Sequence, residues 1–275
     1  MTISIEKKEL SELLEAVRSL YGYDFSDYAP SSIMRRITHF MRTRKIETLE
    51  TLKVILLDNE VVFEEFVREL SVTVTEMFRD PSFYKYLREK VMKRLATYPV
   101  IKIWVAGCAT GEEVYSIAIL LQEAGLLSRS IIYATDINQR SIEIARQGIY
   151  ALGQMKLHTQ NYLHSGGENE FSEYYTAKYN SALINQSLKK NIIFSAHNLV
   201  TDRSFNEFQL ISCRNVLIYF NQTLQTKVIN LFYESLCPLG FLVLGNRETL
   251  LFSDRKDEME VMNKKERVFM KRGKL

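Results

Sequence analysis

The spacing of apolar residues changes near residue 100, and that change limits the fold more than any other feature of the chain. Before it, Leu10, Leu13, Leu14, Val17 and Leu20 recur at helical spacing, as do Ile33, Ile37, Phe40 and Met41. Pro30-Ser31-Ser32 opens the second of these helices, and residues 49–57 and 61–70 supply two more. Residues 5–95 therefore read as helix after helix. From Ile101, apolar runs at 102–106, 131–135, 191–195, 209–213 and 240–245 alternate with helical patterns at 112–124, 139–147 and 222–236. That alternation predicts a parallel sheet with helices on both faces. Residues 258–261 and 267–270 flank NKKE and read as a hairpin whose last strand runs antiparallel to the others. The stretch 150–190 is long for a connection, and its weakly alternating YYTAKYNSALINQSLKKN reads as a small antiparallel insert.

Residues 101–116, IKIWVAGCATGEEVYS, form a strand, a small-residue turn and a helix start. Such a junction lets a ligand lie against backbone. Phosphates favour bare N–H groups at a helix N-terminus. Here Glu112 and Glu113 stand there instead, and they repel a pyrophosphate while suiting hydroxyls or a positive charge. A dinucleotide site calls for G-x-G-x-x-G, whereas Gly107 and Gly111 form only G-x-x-x-G. Asp136 ends the second strand, where an acid accepts hydrogen bonds from ribose hydroxyls or caps the next helix. Asn198 and Leu199 follow the third strand, where an amide can read an adenine edge and a leucine cover its face. Asn198 is equally a turn residue. All these positions fall at carboxyl ends of strands, where open α/β sheets bind ligands. With the closing hairpin, the arrangement resembles an S-adenosylmethionine-dependent methyltransferase.

Composition narrows the class. The chain has 275 residues, 46% hydrophobic and 25% charged, ordinary for a globular protein with a sizeable core. A net charge of +3 is too small to argue for nucleic acid. Cys108, Cys213 and Cys237 lack pairing or metal spacing and suit a reducing cytoplasm. The polar start MTISIEKKEL does not read as a signal peptide, and no apolar run is long enough to span a membrane. The expectation is a cytoplasmic monomer. His39, His158, His164 and His197 share no catalytic or metal spacing, and His197 reads as a solvated turn residue.

The segments VTVTEMFRDPSFY, GCATGEEVYSIA, ATDIN, NL and SCRNVLIYF occur in this order. In them the chain resembles the chemotaxis receptor methyltransferases, the CheR family, over nearly its whole length. The resemblance implies a helical domain at residues 1–80 and a Rossmann-like methyltransferase domain at 81–275, with a β insert at about 155–190. It implies methyl transfer from S-adenosylmethionine, leaving S-adenosylhomocysteine, to glutamates on chemoreceptor cytoplasmic helices. It assigns Thr73, Thr75, Arg79, Ala106, Gly107, Glu113, Asp136, Asn198, Leu199, Arg214 and Asn215 to the cofactor. Arg79 and Tyr219 become the catalytic candidates, with Tyr219 close to the transferred methyl. The usual family pattern has Asn where Thr73 stands and two phenylalanines where Met77-Phe78 stand, which puts one cofactor contact in question.

The second helix carries Arg35, Arg36, His39, Arg42, Arg44 and Lys45. Arg35, His39 and Arg42 share a face, and by the resemblance Arg35, Arg36 and Arg42 would dock an acidic receptor helix. The insert resembles a β-subdomain that in some family members grips a receptor C-terminal peptide by strand addition. Other readings meet specific obstacles. A nicotinamide dehydrogenase lacks its glycine fingerprint, and an amino-methylating DNA enzyme would show [D/N]-P-P-[Y/F] where this chain reads SCRNVLIYF. Two alternatives stay open: a methyltransferase of the same family acting on another signalling protein, and a non-catalytic S-adenosylmethionine-binding signalling module, against which intact Arg79, Asp136 and Tyr219 speak.

Overall fold

The computed structural model describes residues 7–21, 25–26, 28–70, 75–251 and 253–273. Helices α1 (Lys7–Tyr21), α2 (Pro30–Arg44), α3 (Leu49–Asp58) and α4 (Glu60–Leu70) surround one apolar core that includes Leu13, Val17, Ile37, Leu52, Leu56 and Phe66. Local chemistry sets their ends. Pro30 occupies the first turn of α2, where its missing N–H costs nothing, and left-handed Lys45 (φ 58°) stops it. Thr48 caps α3 by accepting from the Thr51 N–H at 3.1 Å.

Then α5 (Pro81–Tyr86), a π-helical turn at Leu87–Val91 and α6 (Met92–Leu95) lead into the sheet domain. Its elements run β1 (Ile101–Ala106), α7 (Glu112–Glu123), β2 (Ser130–Asp136), α8 (Gln139–Gln147), β3 (Ile149–Ala151), α9 (Met155–His164), β4 (Tyr175–Lys178), β5 (Ser181–Ile184), α10 (Gln186–Lys189), β6 (Ile192–Ala196), β7 (Phe208–Cys213), α11 (Gln222–Ser235), β8 (Leu236–Leu244), β9 (Met259–Asn263) and β10 (Val268–Lys271). Among the described residues the main sheet has seven strands in the order β6-β2-β1-β7-β8-β10-β9. The first five are parallel, and β10 runs antiparallel between β8 and β9. Parallel strands covered on both faces read as continuous apolar runs, as β1 and β7 do. One face packs against α7 through residues such as Ile117 and Leu120, and the other gathers Trp104, Phe208 and Phe232.

The insert is an antiparallel sheet in the order β3-β5-β4. It begins at Ile149, ahead of the expected stretch, and that stretch also holds helix α9, which the weak alternation did not announce. Tyr162 of α9 and Tyr174 both donate to Glu123 at the end of α7, which also pairs with Arg88. This half-buried carboxylate fastens the insert to the sheet domain. Among the described residues no helix is long and apolar enough to cross a membrane.

Candidate active site

The carboxyl ends of β1, β2, β6 and β7 open on a cavity of about 190 Å³, far beyond the ~10–15 Å³ that one water needs. At one end stands Asp136, the last residue of β2. Its Oδ2 accepts from the Ala109 N–H at 2.8 Å and its Oδ1 from the Asn138 N–H at 2.9 Å. Burial pushes its pKa up, against the pull of these backbone donors. The Ile137 backbone also donates to this carboxylate, which keeps an acceptor direction for a ligand hydroxyl. The turn that Asp136 holds is shaped by glycine. Gly107 (φ +74°) leaves no room for a Cβ, which would run into the Val216 side chain. Gly111 (φ +93°) starts α7 with no side-chain cap, and from this helix start Glu113 lines the cavity.

Glu112 and Glu113 face different ways. Glu112 is buried, accepts from Thr110 Oγ1 at 2.7 Å, and burial pushes its pKa up to about 7. It shapes the turn. Glu113 lines the cavity, accepting from Ser212 Oγ and pairing with Arg214 Nη1 at 3.2 Å. Arg214, whose side chain is 1% exposed, also pairs with Asp80 Oδ2 at 2.7 Å and lies 4.0 Å over the Phe83 ring. Its Nη1 and Nη2 hold Glu113 and the 78–80 turn, its Nε has no hydrogen-bond partner, and the residue itself lines the cavity. In that turn Phe78 (φ 54°) and Asp80 (φ 61°) are left-handed, a conformation costing about 1–2 kcal/mol at each non-glycine residue. The Phe78 N–H donates to Ser116 Oγ at 2.9 Å, and Asn161 donates to the Met77 carbonyl at 3.1 Å. Arg79, between the two left-handed residues, lines the cavity with Thr75.

At the β6 end, Leu199 forms part of the wall. Asn198 lines it too while serving its turn: its Oδ1 accepts from the Val200 N–H at 2.9 Å, leaving the amide NH₂ for a ligand. His197 is not the solvated turn residue expected. Its ring packs edge-on against Trp104 at 5.1 Å and tilted against Phe205 at 5.2 Å, at the cavity wall.

At the opposite end the helical unit meets the loop after β7. Tyr219 closes a 3₁₀ turn (Leu217–Tyr219) and its carbonyl accepts from the Ala29 N–H at 2.8 Å. Tyr28 bridges to Phe220, with ring centroids 5.0 Å apart. Arg36 is the main departure from the sequence reading. Expected among the residues that dock the receptor, it is buried, donates to the Leu70 carbonyl at 2.6 Å and stacks 4.6 Å from the Tyr219 ring centre. Its spacing from Ile33, Ile37 and Phe40 carried that signal, since all four share the core-facing side of α2. Arg35 and Arg42 stay exposed; their neighbour Arg44 pairs with Glu65.

Of the other expected residues, Gly107 and Asn215 line the cavity, and Ala106 packs into the core beneath it. Thr73 lies outside the described residues. Tyr28, Leu70 and Ser212 also belong to the site and went unnoticed in the sequence, the first two because the helical segments carrying them show no motif. A fixed acid at one end, an apolar wall beside it and charged side chains at the far end fit a nucleoside bearing an amino acid.

Residues 73–268 match the family described as CheR methyltransferase, SAM binding domain, and residues 8–71 match the CheR methyltransferase all-alpha domain. A Pseudomonas putida protein named Cher3 is 48% identical over 263 residues, covering 96% of each chain. The chemotaxis protein methyltransferase of Salmonella typhimurium is 33% identical over 200 residues, 69% of this chain and 65% of that one. That of Listeria monocytogenes is 28% identical over 89% of this chain and 91% of its own. This chain therefore belongs to the CheR family of S-adenosylmethionine-dependent methyltransferases.

Proposed function

We propose that the enzyme methylates glutamate side chains on the cytoplasmic helices of chemoreceptors, giving glutamyl methyl esters. The observation that carries this reading is that Tyr219, stacked against Arg36, lines the same cavity as Arg79. Cationic groups beside a tyrosine suit an acidic acceptor. S-adenosylmethionine held in the cavity would supply an electrophilic sulfonium methyl group, with the neutral thioether S-adenosylhomocysteine as the leaving group. A glutamate, with a reference pKa of roughly 4.3, is already ionised at neutral pH, so no side chain has to remove a proton. The protein's tasks are alignment and exclusion of water. Asp136 accepts from the ribose hydroxyls, Asn198 and Leu199 hold the adenine, and Thr75, Arg79 and Glu113 surround the methionine end. Tyr219, its ring held by Arg36, donates its hydroxyl to an oxygen of the acceptor, and Arg79 orients that acceptor.

Arg35 and Arg42, exposed on the outer face of α2, steer the acidic receptor helix toward this end. The enzyme would act in the cytoplasm, where those helices lie. Incubation with radiolabelled S-adenosylmethionine and receptor cytoplasmic fragments should leave alkali-labile label on glutamates. Label on another residue type, on RNA, or on nothing would overturn the reading. Reversing Arg35 and Arg42 to Glu should slow receptor methylation while leaving S-adenosylhomocysteine affinity intact; unchanged rates at physiological salt would remove them from docking.

A further inference from the structure

Glu248 lies in the turn after β8, is 3% exposed, and has no role in the reading above. Its carboxylate is surrounded by backbone donors. Oε1 accepts from the Val216 N–H at 2.8 Å and the Ile218 N–H at 3.4 Å; Oε2 accepts from the Asn215 N–H at 3.1 Å and from the Gly245 N–H. Among the described residues no Lys, Arg or His forms an ion pair with it. A buried carboxylate without a cation is normally unfavourable, and here a cluster of amides takes the cation's place. A carboxylate offers about four acceptor directions, and this one spends them on four amides, three of them in one loop.

That loop needs holding. Asn215 is left-handed (φ 61°), which a non-glycine residue does not favour. Val216 must sit against Gly107, and the short 3₁₀ turn behind it must aim Tyr219 at the cavity. Asn215, Val216, Ile218 and Tyr219 all line the cavity wall. Among the contacts described, Glu248 is the only side chain that accepts from the Asn215, Val216 and Ile218 amides at once.

We propose that Glu248 is a positioning residue for methyl transfer: by gathering these four amides it sets the loop that presents Asn215 to the cofactor and Tyr219 to the acceptor. This rests on the roles proposed for Asn215 and Tyr219, and it adds the element that fixes them. The test is calorimetric binding of S-adenosylhomocysteine to Glu248→Gln and Glu248→Asp, at temperatures where circular dichroism shows each variant folded, together with kcat and KM for transfer. Gln keeps the shape but turns an NH₂ toward amide donors; Asp keeps the charge on a shorter arm. Glu248→Gln should weaken binding about tenfold, the scale of one or two lost charge-assisted hydrogen bonds, and lower kcat, with Glu248→Asp recovering part of both. Product binding needs no acceptor, so this arm stands whichever acceptor the enzyme uses. A folded Glu248→Gln with unaltered affinity and kcat, whatever its melting temperature, would overturn the proposal. Amide hydrogen exchange on the unmodified protein gives a second test that needs no variant. Strong protection of residues 215, 216, 218 and 245 without ligand supports it, and exchange at loop rates overturns it.

Discussion

The two ends of the cavity are built in different ways. At the Asp136 end a carboxylate is held by backbone N–H groups of Ala109 in the β1–α7 turn and Asn138 in the β2–α8 turn. At the Tyr219 end, side chains hold side chains and loops across long stretches of sequence: Arg36 on Tyr219, Arg214 between Asp80 and Glu113, Glu248 under residues 215–218. Backbone donors survive most substitutions, whereas a network of side chains fails when one member is removed. The cofactor end should therefore tolerate change, and the transfer end should be easily broken.

Arg214→Met tests that contrast most severely. It leaves Glu113 and Asp80 without their shared cation, and breaking a buried pair costs about 3–5 kcal/mol. Chemical denaturation should read a stability loss of that order; a loss below about 1 kcal/mol would mean the 78–80 turn is held by other contacts. Next comes Asp136→Ala, expected to weaken S-adenosylhomocysteine binding by about 1–3 kcal/mol in calorimetry while the protein stays folded. Unaltered affinity would take the ribose role away from Asp136. Tyr219→Phe should slow transfer about tenfold, the scale of one hydrogen bond, and barely move product affinity. The reverse pattern would make Tyr219 a binding residue only and blur the difference between the two ends.

The mildest effect concerns pH. Burial raises the Glu112 carboxyl to about 7 in the folded protein, above the roughly 4.3 of an unfolded chain. The stability contributed by its neutral form is then complete below about pH 4.3 and is lost as pH rises through about 7. Glu112→Gln mimics the neutral form. It should raise the melting temperature at pH 8 by about 2–4 °C, the shift that ~1 kcal/mol gives a domain of this size, and leave it unchanged near pH 4. Equal gains at both pH values would trace the effect to packing.

The same contrast explains what could be read in advance. Strand runs, the glycine turn and Asp136 are local patterns, because period and turn chemistry are properties of neighbouring residues, and the sheet follows them closely. Arg35 and Arg36 are adjacent and identical in type, and only their spacing relative to Ile33, Ile37 and Phe40 separates the exposed one from the buried one. Glu248 lies 33 residues from Asn215 in a turn without motif, so nothing in the chain links it to the loop it holds. Helix α9 was obscured because its apolar side is weakly marked; it packs through Met155 and Tyr162. His197 looked like a turn residue until Trp104 and Phe205 closed around it.

The strand order also bears on how the protein is made. β10 is later in the chain than β9 yet lies between β9 and β8. On a ribosome that synthesises from the amino end, β9 emerges with no place in the sheet, and the edge of β8 stays uncovered until residues 268–271 follow. The seven strands therefore cannot be completed progressively; the far side of the sheet closes in one late event. Until then an apolar edge containing Phe241, Leu242 and Val243 is available for wrong pairing, which makes this stage the one where a chaperone would matter most.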